Sequence, residues 1–427
     1  SETANNSLLK AVLIETMLSI LFLVYVVAVK VYKKTSPNGK LTVFLGNRDF
    51  GDHGTHCDPV EGVFLVDQEY LKGRRVFGQI ITTFRYGRQE DEIMGLHFSR
   101  QLFMALEQIY PQRKHGSDVS INKLQEKMLK KLGEGAFPFS FELPSNAPPS
   151  VTLQPGPDDN GPPLGVDYEL KLFVANSEHE NPQKRNSVSM AIRKLLYTIP
   201  SPTTRQPSAI VSKGFMLSAG KLNLEATLDR EIYFHGDKLS VHISVSNYSK
   251  KSVRNIKVSV VQHTEVTLVN GHYSKTVASI ESREGCPITP GASFSKVFQL
   301  LPLAAQNKDR RGIALDGMIK EMDTNLASST PNIASDAVGI IISYVVRVRL
   351  YLGAIGGDLT ADVPFKLAIP ESGKKEPQQE SVVEKKDNEK QVAVAVRKVK
   401  KQLTREMSTD LIFEDFARRR QESEDLD

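Results

Sequence analysis

VRNIKVSVVQHTEVTLV, residues 253–269, decides the fold class. Ile256, Val258 and Val260 alternate with Asn255, Lys257 and Ser259. This two-residue period marks a strand with one face in a core. Similar runs flank it: LNLEATL (222–228), KLSVHISVSNYS (238–249), GASFSKVFQL (291–300), GIIISYVVRVRLYL (339–352) and ADVPFKLAI (361–369). Their spacing and alternation predict an antiparallel β-sandwich.

The preceding half repeats the pattern in LTVFL (41–45), GVFLV (62–66), VFGQIITTF (76–84), VDYELKLFV (166–174) and SVSMAIRKLLY (187–197). Turn signals separate these runs: Pro37-Asn38-Gly39, Asp52-His53-Gly54, Pro155-Gly156-Pro157 and Asn160-Gly161-Pro162-Pro163. One segment departs. INKLQEKMLKKL (121–132) places Ile121, Leu124, Met128, Leu129 and Leu132 at helical spacing and stops at Gly133. The expectation is an all-β chain of two sandwich domains, 27–198 and 208–370, joined by a proline-rich hinge at 199–207. A single short amphipathic helix belongs to the first domain. Residues 371–409 are rich in Lys, Glu and Gln, so the tail 371–427 reads as disordered and regulatory.

The 427 residues and a net charge of +5 suit a mildly basic, multi-domain protein. Such a balance permits phosphates or lipid headgroups and gives no sign of nucleic acid. Cys57 and Cys286 are the only cysteines, which argues against a disulfide framework. Residues 11–29, AVLIETMLSILFLVYVVAV, have the length of a membrane-spanning helix. They read as an anchor, as translated upstream sequence, or as a segment ending in a strand. The favoured expectation is a non-inserted extension over residues 1–26.

No catalytic motif is found. GFMLSAGKL (214–222) approaches a phosphate-binding loop, but it carries one residue too many and Leu222 stands where Ser or Thr is needed. His53, His56 and Cys57 are close in sequence, yet no second close pair completes a zinc site, and they read as an incidental loop cluster. No enzyme, metal or cofactor is expected.

Several ordered segments resemble the arrestin family. They are VYKKTSPNGKLTVFLGNRDFGDH from Val31, FRYGRQEDEIMGL from Phe84, KLGEGAFPFSFELP from Lys131 and SVTLQPGPDDNGPPLGVDYE from Ser150. QKRNSVSMAIRKLLY from Gln183, IALDGMIKEMDTNLASST from Ile313 and DLIFEDFARRR from Asp410 complete the set. REGCPITPG from Arg283 and VSKGF from Val211 look more like invertebrate visual arrestins than vertebrate β-arrestins. The resemblance implies two β-sandwiches with the tail folded onto the first. It also implies a cytoplasmic protein, recruited to the plasma membrane, that binds activated phosphorylated G-protein-coupled receptors, rhodopsin among them. Such a protein ends G-protein signalling and links receptors to the endocytic adaptor. The alternative is a membrane-tethered trafficking adaptor of the same fold.

The resemblance further assigns roles. A buried polar core would join Asp49, Arg185, Asp316, Asp323 and Arg418. Lys33, Lys34, Arg48, Lys130 and Lys131 would sense receptor phosphates. Glu90, Asp91, Ile93, Met94 and Leu96 would form the receptor-entering finger loop. Leu352 and Ile355 in LGAIGG would touch the bilayer. Phe413, Phe416 and Arg420, with Arg418 alongside, would hook the clathrin adaptor complex; at rest the phenylalanines would pack on Val31 or Tyr32, Leu124 and Met128. No clathrin box precedes them, so direct clathrin binding is not expected.

Overall fold

The alternating segments become strands, and their apolar positions close two sandwiches. The computed structural model describes residues 29–87, 98–112, 121–156, 159, 161–198, 205–216, 218–319, 324–331, 339–353, 357–371 and 411–415. The first sandwich comprises β1 (Val29–Thr35), β2 (Leu41–Leu45), β3 (Asp49–Asp52), β4 (Val60–Val66), β5 (Arg75–Arg85), β6 (Ser99–Tyr110), β7 (Ala136–Phe141), β8 (Val151–Leu153), β9 (Gly165–Ala175) and β10 (Ser187–Thr198). The second uses β11 (Ser208–Phe215), β12 (Ser218–Leu228), β13 (Ile232–Phe234), β14 (Leu239–Asn247), β15 (Asn255–Val266), β16 (Gly271–Ser282), β17 (Ser293–Leu300), β18 (Ala314–Asp316), β19 (Ile340–Tyr351) and β20 (Leu359–Pro370). A last strand, β21 (Leu411–Asp415), comes from the tail. The phosphate-loop near miss is the tight β11–β12 connection, with Phe215 facing Ser218.

One sheet has the order β21-β1-β2-β4-β7, and another has the order β11-β12-β14-β17. The third runs β16-β15-β19-β20-β10-β9-β5-β6 and spans both sandwiches. Its continuity is a finding the alternation did not foresee. The ends of β10 and β20 pair in parallel, Tyr197 with Ile369 and Thr198 with Pro370. A second crossing strap is β18, which leaves the second sandwich to pair with β8 of the first, Asp316 opposite Val151.

The first sheet buries apolar residues on both faces. Val43, Leu45 and Phe64 join the main core, while Phe44 and Val63, directly opposite each other, belong to a separate outer cluster. A strand face like that must be covered by something else. The cover is a helix and the tail strand. The helix, Lys123–Leu132, turns Met128, Leu124, Leu129 and Leu132 onto this patch. A capping box starts it: the Asn122 side chain accepts from Leu124 N and Gln125 N, and Gln125 Oε1 accepts from Asn122 N. Gln125 is buried, and its amide donates to the carbonyls of Gly62 and Phe139 at 3.0 Å each. A further single-turn helix, Gln68–Leu71, is capped by Asp67, so the described residues hold two α-helices where one was expected. Among the described residues no helix is long and apolar enough to cross a membrane, and residues 11–28 of the apolar run lie outside them.

Replacing Asn122 with Ala removes the cap and is expected to cost about 1 kcal/mol. Urea unfolding followed by circular dichroism checks this.

Candidate functional site

β10 carries two cations in the middle of an apolar strand, and they set the site. Arg193 and Lys194 follow the buried Val188, Met190 and Ile192. Both are themselves buried, so both need anionic partners. β3 runs parallel to β10 with Asp49 level with Arg193. Arg193 Nε and Nη2 donate to Asp49 Oδ1 and Oδ2, each at 2.6 Å, in a two-pronged pair. Arg193 Nη1 donates to the Gly317 carbonyl at 3.0 Å. Lys194 Nζ meets Asp52 Oδ2 at 2.7 Å and donates to the Ala147 carbonyl.

The second domain supplies another carboxylate. Pairing of β18 with β8 places Asp316 beside Arg193, whose positive charge acts on it. A side chain at Gly317 would place its Cβ 2.7 Å from Ser150 Cβ, so glycine permits the close approach of this strap. Asp316 accepts from Ser328 N at 2.9 Å, and His235 Nε2 stands 3.6 Å from its Oδ2. Burial, opposed by the Ser328 hydrogen bonds and Arg193, pushes the Asp316 carboxyl up to about 7. Burial also pushes His235 down to about 4, so it is neutral near pH 7.

Of the residues expected in a polar core, Asp49 and Asp316 lie beside a buried arginine, but that arginine is Arg193 and not Arg185. Arg185 does not meet Asp49. It is exposed on the 3₁₀ turn Lys184–Asn186, before β10 begins, and its carbonyl accepts from Asn38 N at 3.1 Å. Arg193, eight positions further on, is level with Asp49 and takes that place. The signal was present in the sequence: adjacent Arg and Lys inside an apolar alternation demand buried counter-charges. Asp323 and Arg418 lie outside the described residues.

The tail reaches the opposite edge of the first sandwich. β21 adds in parallel to β1, Val31 level with Phe413. Leu411 is buried, Ile412 points outward, and the Phe413 ring meets Phe44 edge-on at 5.2 Å. Val31, Leu124 and Met128 belong to the same cluster, as expected. Lys131 Nζ donates to the Leu411 carbonyl at 2.8 Å and lies over the Phe413 ring. Lys33 stands 3.6 Å from Asp415, and Lys30 pairs with Glu414. These exposed pairs contribute ~0–1 kcal/mol each. Burial of an apolar side chain contributes about 1.5–3 kcal/mol, so Leu411 and Phe413 dominate the docking.

The other phosphate-sensing candidates are spread around this edge. Lys33 and Lys34 sit within β1 rather than after it, and Lys34 Nζ donates to the Ser189 carbonyl at 2.6 Å. Arg48 is buried, with its guanidinium 4.3 Å from the Tyr32 ring centre. Lys130 is exposed at the end of the helix. Leu352 is a correction: it is buried directly after β19 and cannot present its side chain to a bilayer, while Ile355 lies outside the described residues. Glu90, Asp91, Ile93, Met94 and Leu96 lie outside them too, as do Phe416 and Arg420.

Two strapped sandwiches, a charge cluster at their junction and a tail strand on the first define a two-domain β-sandwich protein. Residues 41–198 match the family profile "Arrestin (or S-antigen), N-terminal domain", and residues 218–372 match the corresponding C-terminal domain. A lateral eye arrestin of Limulus polyphemus is 68% identical over 410 residues, 96% of this chain and all of that protein. Phosrestin-1 of Drosophila melanogaster is 50% identical over 401 residues, 92% of this chain and 98% of its own. A beta-arrestin of Caenorhabditis elegans is 44% identical over 405 residues, 92% and 93% of the two chains. The chain belongs to the arrestin family, whose members are non-enzymatic signalling regulators.

The Asp316 shift gives a signed pH dependence. Its folded pKa is about 7 against 3.8 for the ordinary carboxyl, so the folded state holds the proton more tightly. The resulting stability is present below pH 4 and is lost as pH rises toward 7. Asp316→Asn removes this component. Urea unfolding across that range is expected to show wild type losing stability relative to the variant as pH rises; parallel curves would contradict the assignment.

Proposed function

We propose that the chain binds activated, phosphorylated G-protein-coupled receptors, ends their G-protein signalling, and does so by exchanging its tail for receptor phosphates. The observation that carries this reading is the docked tail. An acidic strand, LIFED, occupies the edge of β1, with Glu414 and Asp415 on Lys30 and Lys33 and a main-chain carbonyl on Lys131. A phosphorylated receptor segment offers the same extended backbone with a greater negative charge. It competes for the same strand edge and the same lysines.

The charge cluster couples to that exchange through an asymmetry in exposure. The Arg193 side chain is 9% exposed and that of Asp49 is 33% exposed. Asp49 can be rehydrated, whereas Arg193 stripped of its partner costs about 3–5 kcal/mol. The pair therefore yields to an incoming anion more readily than to simple separation. Phosphate arriving beside Asp49 takes over the guanidinium, and the strap carrying Asp316 loses its neighbour. The relative named for the lateral eye supports a visual role, for which we infer rhodopsin as the receptor. A cytoplasmic protein recruited to the plasma membrane fits this reading. Phe413, partly buried against Phe44 at rest, becomes available to the clathrin adaptor complex once β21 leaves, together with Phe416 and Arg420 of the same motif.

Co-sedimentation with activated receptor membranes, kinase-treated or not, tests the reading. Arg193→Glu is expected to lose most of the preference for phosphorylated receptor, and Arg185→Glu to retain it. An unchanged preference in Arg193→Glu would sink the proposal. Phe413→Ala is expected to weaken docking by about 2 kcal/mol, read as faster proteolysis of the tail with the body intact.

A further inference from the structure

The turn between β3 and β4 gathers two imidazoles and a carboxylate at the edge of the domain junction. His53, His56 and Asp58 each offer one ligand atom, and these atoms lie within 4.8 Å of one another. The turn is rigidly made. Asp52 and Cys57 form an antiparallel bridge, His53 N donates to the His56 carbonyl at 3.0 Å, and Asp58 N donates to the Gly51 carbonyl at 2.8 Å. Asp52 Oδ1 accepts from Gly54 N at 2.9 Å. Gly51 is required here: a Cβ would lie 2.3 Å from the Tyr197 ring and 2.9 Å from Asp58 Oδ2.

The hydrogen bonds leave a cation's place. Asp58 Oδ2 accepts from Gly51 N at 2.7 Å, which turns Oδ1 toward His53 Nε2 at 3.2 Å. On the other side of the ring, His53 Nδ1 is 2.8 Å from Glu371 Oε1. A neutral imidazole donates from one nitrogen alone. His53 Nδ1 is buried and makes no hydrogen bond, so a carboxylate oxygen stands at each ring nitrogen while only the Nε2 contact is hydrogen-bonded. Two carboxylates around one imidazole call for a positive charge among them. His56 stacks on His53, with ring centres 4.7 Å apart, and is exposed, so its ring can turn off the stack to bring a nitrogen to the same ion.

We propose that His53, His56 and Asp58 bind one Zn²⁺-type divalent cation, with Glu371 orienting His53 from the residue after β20. Two imidazoles and one carboxylate suit zinc better than Mg²⁺ or Ca²⁺, which prefer oxygen cages. A water completes the set, as in other three-ligand zinc sites. A carboxylate on the far nitrogen of a ligating histidine fixes its tautomer. Cys57, the cysteine of the sequence cluster, takes no part: its sulfur faces the Pro144 carbonyl at 3.9 Å, and burial pushes the thiol up. Because Tyr197, next to the last residue of β10, stacks on His53 while Glu371 follows β20, the ion sits where the two domains' strands join. Occupancy strengthens that junction.

The test uses the untagged full chain, stripped with a chelator and titrated with zinc chloride by calorimetry. One stoichiometric equivalent is expected, uncontested by excess Mg²⁺ or Ca²⁺. The unfolding midpoint is expected to rise with zinc. His56→Ala, at an exposed position, should fold with the midpoint of the metal-free wild type and lose both effects. Glu371→Gln should weaken binding by about tenfold. Absence of a stoichiometric equivalent would overturn the site and leave a proton bridging His53 and Asp58. Equal affinity in His56→Ala would place the zinc elsewhere and overturn it equally.

Discussion

Arg193 is a cation that the fold has put out of reach of water, and much of the molecule is arranged to answer it. Asp49 takes two of its donors, and the Gly317 carbonyl takes a third. Those partners come from both domains. β3 supplies the first, and the strap that follows β18 supplies the second. A buried pair of this kind adds little net stability over an apolar replacement, but it penalises every arrangement that separates the partners. Its contribution is the relative placement of the two sandwiches.

The second carboxylate has a different character. Asp316 is buried more completely than Asp49 and holds its proton up to about pH 7. Near neutrality it is divided between charged and neutral forms. Its charge is therefore set by its surroundings, whereas the Asp49 carboxylate is paired directly with the guanidinium.

The tail is held by different physics. Two apolar side chains and one short parallel ladder attach β21 to the first sheet, over a patch that would otherwise expose Phe44 and Val63. That attachment amounts to a few kcal/mol. It is strong enough to cover the patch and weak enough to be displaced. The patch is kept covered by an acidic extended piece of the same chain.

Much of this was legible in the residues themselves. Alternation at 253–269 and its counterparts set the strands. The 3.6-residue spacing at 121–132 set the helix, because the side chains of such a segment have one burial solution. The single turn at Gln68–Leu71 was too short to leave a period. The segment 410–420 was recognisable as a hook because Phe413, Phe416 and Arg420 stand at the spacing of the family motif it resembles, and the carboxylates Asp49 and Asp316 stood in their motifs. The partner of Asp49 was not legible. Arg185 and Arg193 both lie in QKRNSVSMAIRKLLY, and sequence order does not say which is level with a strand over 130 residues away. Register across β3 and β10 decides it, and other long-range contacts decide the burial of Leu352 and the meeting of His53 with Glu371. The sequence by itself determined which segments have a face to bury. Only the tertiary structure decided which buried charges meet, because that depends on strand register and on contacts between residues far apart in the chain.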